Sequence, residues 1–483
     1  MHGACFLLGV CSGFRLLQRI THLAYLPFKI PPYATATRPY SLKRIFARLR
    51  SAHPDHHAIA KSMVWIMFFV FIGKIAGAAK EMAVSYRYGV GAEVDAYLYV
   101  YNLVAWPVGV WFSVLTAVLV PLAARIQHNA PGEMPLFRAE LLGFTLLLGL
   151  LLALAGLPAL QYLLNSSLTG LSAETTKMAL DILPALILLL PIGMVISLFS
   201  AWLLAAGRHV NTLLEGVPAL AIAAAVLLLS TGGVEILAYA TLAGFCFHLF
   251  GLAMPLLTTA NVELPRFRRQ SLQWPLFWQG FGVMLAGQAL MSFIGIIDQF
   301  FAAHLGTGAI ATISYANRIL ALILGLGATA ISRATLPVFS KAQAQGREHI
   351  QQVAKHWVRL LFSLGVIALV FGWWLAPLMV KLLFERGAFS VQDTLVVTEA
   401  FRYGLLQLPF YFTGILFVSM LTSQARYGTL TIIGALNLII KIIANLTLIK
   451  WMGINGVMLA TALMLMVSTM LSGLALYFGF KQR

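Results

Sequence analysis

Six ionisable residues sit where charge is expensive. Lys74, Lys80 and Glu81 lie in one apolar run, Asp95 follows shortly after it, and Asp298 and Arg318 lie in two later runs. A cation at the centre of a membrane-spanning helix costs about 2.5–3.5 kcal/mol on insertion scales, so such groups must face a wet cavity or a partner. On a helix, Lys74 and Glu81 share one face, while Lys80 points about 120° away from Lys74, so the two lysines can flank one wide cavity. Lys74 lies about 11 residues into its run, roughly 17 Å deep at 1.5 Å per residue, too far in for easy snorkelling. Three cations approach the charge of a diphosphate, and an arginine fork can grip phosphate oxygens in pairs. Lys74, Lys80 and Arg318 are therefore the expected substrate-binding set, with Glu81, Asp95 and Asp298 as charge partners or gating residues. The competing role for the same six is structural, the cations pairing with the carboxylates to lock a helix bundle.

No arrangement suited to catalysis stands beside them. The sequence shows no Ser/His/Asp or Cys/His grouping, and no glycine loop that would cradle a phosphate before a helix. Cys5, Cys11 and Cys246 have no paired spacing, so neither a disulfide framework nor a metal site is expected. His248 and His304 stand alone in apolar surroundings, and no role is expected of them. Gly73-x-x-x-Gly77 reads as a close helix contact. Pro107 and Pro409 read as kinks or gating points within spans. The expectation is a protein that is not an enzyme and needs no cofactor. Its energy source is left open between membrane potential, Na+ and H+.

The elements that must position these residues are apolar helices. Of 483 residues, 60% are hydrophobic and only 10% charged, against roughly a quarter charged in soluble domains. Runs of about 20 apolar residues recur from Met63 onward, each long enough for a hydrocarbon core about 30 Å thick. They do not alternate as barrel strands would, and a single span in lipid must satisfy its own backbone, so they are helices. Twelve spans are expected, near 63–86, 96–123, 137–161, 178–206, 211–230, 234–258, 276–303, 309–339, 357–384, 395–424, 428–450 and 454–479. Short loops leave no room for an aqueous catalytic domain. The formal charge of +17 belongs to topology rather than to nucleic acid. Arg125, Arg138, Arg208, Arg266, Arg268, Arg269, Lys341, Arg347, Arg426 and Lys481 all fall on one side, with the basic N-terminal stretch. By the positive-inside bias that side is cytoplasmic, and both termini lie there. Residues 1–60 read as a basic cytoplasmic arm, broken by Pro27, Pro31, Pro32, Pro39 and Pro54, that rests on anionic lipid or stays unstructured.

The chain also repeats itself. Gly91-Ala-Glu-Val-Asp-Ala-Tyr97 leads through an apolar run to Leu119-Val-Pro121, and Gly308-Ala-Ile-Ala-Thr-Ile-Ser314 leads through another to Leu336-Pro337. Ser200–Arg208 and Ser419–Arg426 stand at nearly the same offset, as do Glu81 and Asp298. The fold class expected is therefore an all-α polytopic membrane protein of two six-helix bundles, 61–260 and 276–483, joined by a cytoplasmic linker at 261–275. An even number of spans per repeat makes the halves parallel, the build of transporters that hold substrate between two halves and rock about it.

Four stretches carry a family resemblance. Gly73-Lys-Ile-Ala-Gly-Ala-Ala-Lys-Glu81 with Tyr88-Gly-Val-Gly-Ala-Glu-Val-Asp-Ala-Tyr97 resembles the opening of the MurJ/MviN lipid II flippase family. Ser314-Tyr-Ala-Asn-Arg-Ile-Leu320 with Leu336-Pro-Val-Phe-Ser340 resembles its eighth-span signature. Leu383-Phe-Glu-Arg-Gly-Ala-Phe389 and Gly453-Ile-Asn-Gly-Val-Met-Leu-Ala-Thr461 resemble two more. The resemblance implies the V-shaped multidrug/oligosaccharidyl-lipid/polysaccharide exporter fold in a bacterial inner membrane. It implies carriage of an undecaprenyl-diphosphate-linked sugar, either lipid II or an exopolysaccharide or O-antigen repeat unit, from the cytoplasmic to the outer leaflet. It places Lys74 and Lys80 at the family's cavity arginines, Glu81 and Asp95 at its acidic positions, and Arg318 at its eighth-span arginine. The implied partners are that lipid-linked glycan, the bilayer, and proteins of polysaccharide or cell-wall assembly. The sequence departs from the pattern in carrying lysines for the first-span arginines. It also has no charge across Trp106–Ser113, and Ala321 near the place of an acid one turn after Arg318. It ends after the twelfth run, where lipid II flippases usually add two. A drug/cation antiporter of the same fold, which should favour acidic cavity residues, and a scaffold that does not transport are the alternatives.

Overall fold

The computed structural model describes residues 54–481 apart from 209, 230, 259–262, 345–346 and 425. The expected arm therefore lies largely outside the described residues. Its last stretch, from Pro54, is helical and continuous with the first span.

The described residues form α-helices joined by short turns. In chain order they are α1 (Pro54–Tyr88), α2 (Ala92–Asn129), α3 (Met134–Asn165), α4 (Ala173–Leu186), α5 (Leu189–Ala205), α6 (Val210–Leu214), α7 (Val217–Leu228) and α8 (Glu235–Thr258). Then follow α9 (Trp274–Ala303), α10 (Ala309–Ala344), α11 (Arg347–Phe384), α12 (Val391–Leu405), α13 (Leu408–Ser423), α14 (Tyr427–Met452) and α15 (Ile454–Lys481). Among the described residues, nine spans are long and apolar enough to cross a membrane, and the bent pairs α4–α5 and α12–α13 raise this to eleven. With 35 residues, α1 is long enough to be the twelfth. The protein is an all-α polytopic membrane protein, and every expected span coincides with a helix, a bent pair or, for 211–230, the interrupted pair α6–α7.

The two bends have a covalent cause. A proline lacks the N–H that would bond four residues back and crowds the carbonyl there. Pro191 stands just inside α5 after a 48° bend, and Pro409 just inside α13 after a 40° bend. Pro107, in contrast, lies inside the continuous helix α2. Each bent span is also approached closely by a glycine on the preceding helix. A Cβ on Gly149 would fall 2.7 Å from Pro191 Cα, and one on Gly365 would fall 2.5 Å from Pro409 Cα.

These paired features restate the duplication in three dimensions. Gly149 and Gly365, Pro191 and Pro409, and the two bends all recur within one residue of the offset that separates Gly91 from Gly308. Ser172 and Ser390 recur likewise, capping α4 through the Thr175 amide and α12 through the Asp393 amide. Gly89 and Gly306, and Gly170 and Gly387, recur as turn residues with φ of +57°, +103°, +68° and +63°. All four turns lie at one end of the helices, here the Gly89 end.

Helix α9 is shared between the halves. Its first turns carry Trp274, Phe277 and Phe281 into a core built from α2, α3, α5 and α8, whereas its later part packs on α14. The segment before it is strapped to α3. Glu140 accepts from the backbone amides of Gln270 (2.6 Å) and Ser271 (3.1 Å) and from Trp274 Nε1 (2.7 Å). Arg269 lies over the rings of Phe144, Trp274 and Trp278.

Candidate functional site

A cavity of about 470 Å³ opens among α1, α2, α5, the α6–α7 break, α8 and the start of α10, with the end of α11 closing one wall. Lys74, Lys80, Glu81 and Arg318 all line it. Glu81 stands at the centre of the charge cluster. Its Oε1 is 2.8 Å from Lys80 Nζ and 2.8 Å from Arg318 Nε. Tyr97 and Tyr101 stack nearby at 5.6 Å between ring centroids, and the Tyr97 hydroxyl is 2.8 Å from Thr241 Oγ1.

The pairing uses the cations incompletely. Arg318 meets Glu81 through Nε, and its side chain keeps 48% of its surface open. Among the described contacts its two terminal nitrogens have no protein partner, and this pair can grip a phosphate end-on with two parallel hydrogen bonds. Lys74 is exposed. With Glu215 also on the wall, three cations face two carboxylates, and the lining carries a net positive charge. Separating Glu81 from its partners would strand buried charge, at about 3–5 kcal/mol for a broken buried pair.

The two other carboxylates expected near this cluster are placed differently. Among the described residues Asp95 meets no lysine or arginine. Its Oδ2 accepts from the Gly308 amide at 2.5 Å and its Oδ1 from the Ala311 amide at 2.7 Å. Those amides belong to the cap position and third residue of α10. A capping box satisfies these two donors with side chains of the helix itself, and glycine and alanine have none to offer. Asp95 supplies both bonds from α2, across the gap between the repeats, and also sits favourably at the positive end of the helix dipole. Around it the Gly89 end is sealed. Tyr315 OH donates to the Gly89 carbonyl (3.0 Å), and the Ala388 amide donates to the Tyr86 carbonyl (2.7 Å). The tight turns allow this approach, since a Cβ on Gly89 would lie 2.5 Å from the Ala388 oxygen.

Asp298 is also paired, but with Lys441 of α14, at 2.7 Å and outside the cavity lining. Lys441 is fully buried. Its ammonium also donates to the Val457 carbonyl (3.1 Å) and Thr461 Oγ1 (2.5 Å), while Asn445 Nδ2 donates to Asp298 (3.3 Å). This network ties α9, α14 and α15 together. It replaces the expected pairing of Asp298 with the cavity cations.

The structure adds residues that the sequence did not single out. Glu215 lies in the break between α6 and α7, and His248, which looked isolated, lines the same cavity with Asn211 and Ser200. His304 takes no part; its Nδ1 contacts the Phe300 carbonyl at 2.8 Å. Lys441 had a visible signal, a lysine flanked on both sides by isoleucine pairs. No group of three or more His, Cys, Asp or Glu side chains able to hold a metal occurs among the described residues.

The fold is the one shared by structures of the multidrug/oligosaccharidyl-lipid/polysaccharide exporter type. The fold matches a lipid II flippase MurJ in an inward closed conformation with a TM-score of 0.76 and 18% identity, covering 86% of this chain and 87% of that one. It matches an inward-facing multidrug resistance MATE family transporter with a TM-score of 0.70 and 18% identity, covering 85% and 95%. Within that class the family model for lipid II flippase MurJ matches residues 84–483, and the chain belongs to that family. Lys74, Lys80 and Glu81 lie just ahead of the matched residues. A Helicobacter pylori relative, a probable lipid II flippase MurJ, is 31% identical over 212 residues, 42% of this chain and 45% of the relative. A Buchnera aphidicola relative of the same description is 22% identical over 373 residues, 74% of this chain and 72% of the relative. The alignments to the two Helicobacter pylori relatives thus span less than half of those proteins.

Proposed function

We propose that the protein flips a polyprenyl-diphosphate-linked glycan of the lipid II class between leaflets by alternating access. The observation that carries this reading is the cavity cluster of Lys80, Glu81 and Arg318, with the Arg318 terminal nitrogens left free. The diphosphate binds those nitrogens and Lys80 while the polyprenyl chain stays in lipid. Incoming phosphate competes with Glu81 for both cations, so binding loosens the ties that Glu81 makes between α1 and α10. Substrate then interacts differently with the two conformations, which is what a ligand needs in order to shift an equilibrium between them. Family membership supports the substrate class, and the net positive lining opposes a cation substrate.

The bias of basic residues puts the Gly89 end outside and both termini in the cytoplasm of a bacterial inner membrane. In that orientation the sealed Gly89 end makes this a state closed toward the outside. The residues 61–260 and 276–483 act as the two rocking units, with α9 bridging them. The motive force is membrane potential, Na+ or H+. Partners of the working protein are the lipid-linked glycan and proteins of cell-wall or polysaccharide assembly.

The test is complementation of a bacterium depleted of its lipid II flippase, with membrane insertion checked by immunoblot. Growth supports lipid II as substrate. Absence of growth despite wild-type insertion removes lipid II and leaves an exopolysaccharide or O-antigen unit.

A further inference from the structure

The cavity has a second polar centre, away from the Glu81 cluster and chemically unlike it. Ser200 of α5, Asn211 of α6, Glu215 in the α6–α7 break and His248 of α8 converge on one wall. Asn211 joins them. Its Nδ2 donates to Glu215 Oε1 at 2.9 Å, and its Oδ1 lies 3.0 Å from His248 Nε2 and 2.8 Å from Ser200 Oγ. The Ser200 hydroxyl is also 2.7 Å from the Ile196 carbonyl, and its single proton serves one acceptor at a time.

The backbone is shaped to present this group. The fifth span is interrupted at Glu215 and Gly216, and broken helices in transporters expose polar groups at binding sites. Gly216 packs against α1 so closely that a Cβ would lie 3.4 Å from Gly73 Cα. That approach brings Glu215 to the side of the cavity where Lys74 lies, and both side chains are exposed to it.

The unused valences indicate a ligand. With His248 Nε2 donating to Asn211, Nδ1 is an acceptor without a partner among the described contacts. Glu215 Oε2 is another. Acceptors on a carboxylate repel phosphate and welcome hydroxyl or amide protons. Phe112 and Phe245 on the same lining offer apolar faces beside these polar groups. Resting on the flippase reading above, we infer that Asn211, Glu215 and His248 form a sugar subsite, which reads the hydroxyl and amide protons of the glycan while Arg318 and Lys80 hold the diphosphate.

The experiment compares two probes on the purified full-length protein in lipid nanodiscs: lipid II, and undecaprenyl diphosphate without sugar. Wild type should bind lipid II more tightly. Glu215→Gln and Asn211→Leu should each weaken lipid II by about tenfold, the scale of one lost hydrogen bond to a charged or pinned group, while undecaprenyl diphosphate stays within about twofold. Retained diphosphate binding also reports that the variant is folded, and Glu215, being exposed, can be changed without disturbing the core. Equal binding of the two probes by wild type, or unchanged lipid II binding in Glu215→Gln, overturns the subsite. Binding of neither probe by wild type overturns the flippase reading instead.

Discussion

Removing the Asp95 carboxylate should open the Gly89 end. Asp95 makes two hydrogen bonds, at 2.5 and 2.7 Å, to backbone amides of α10. Bonds to a charged group contribute about 1.5–3 kcal/mol each after exchange with water. They exist only while the two repeats meet, because the donors and the acceptor lie on different sides of the gap. Asp95→Ala should therefore favour the opposite conformation by about 3 kcal/mol or more, roughly a hundredfold in population. Asp95→Asn keeps one oxygen acceptor and loses the charge, so its shift should be intermediate. The assay is labelling of a single cysteine at position 78, on the cavity wall, in a chain whose Cys5, Cys11 and Cys246 are replaced by serine. A membrane-impermeant maleimide applied from the Gly89 side should react about a hundredfold faster in Asp95→Ala, up to the limit set by free access. An unchanged labelling rate, in a variant with wild-type expression and melting temperature, would refute the view that Asp95 clasps that end shut.

Glu81→Gln should abolish transport and lower stability by about 3–5 kcal/mol, because Lys80 and Arg318 lose their shared carboxylate; a thermal shift in detergent checks the second part. Lys441→Met should cost a similar amount by stranding Asp298, while Lys441→Met with Asp298→Asn should recover most of it, as a double-mutant cycle in melting temperature will show. Gly365→Ala should destabilise by about 1–3 kcal/mol through overpacking against the Pro409 backbone, with Gly149→Ala behaving alike at the matching site of the first repeat.

Much of this architecture is legible in the sequence, for one reason. In apolar runs, any residue that is not apolar stands out. The spans, the repeat and the convergence of Lys74, Lys80, Glu81 and Arg318 all follow from that contrast. The partners of Asp95 and Asp298 do not. Asp95 bonds backbone amides that every residue but proline carries, so no side-chain pattern marks them, and they lie in the other repeat. Asp298 depends on Lys441, whose isoleucine neighbours were a usable signal. Glu215 and His248 are polar residues in apolar runs, but no sequence pattern shows that they and Asn211 meet. Only the packing of Gly216 on Gly73 and the convergence of α5, α6 and α8 bring them together. The proline bends were half visible: Pro409 breaks its span, whereas Pro107 leaves α2 continuous.

Transport of a lipid-linked diphosphate across the bilayer is assigned to the cavity cations. Its most direct test is reconstitution of the wild-type chain and of Lys74→Gln/Lys80→Gln/Arg318→Gln in liposomes loaded with lipid II on one leaflet, followed by arrival of the headgroup at the other leaflet. Wild type should transfer the headgroup, and the triple variant inserted to the same level should transfer none. Transfer by the triple variant at the wild-type rate would contradict that assignment.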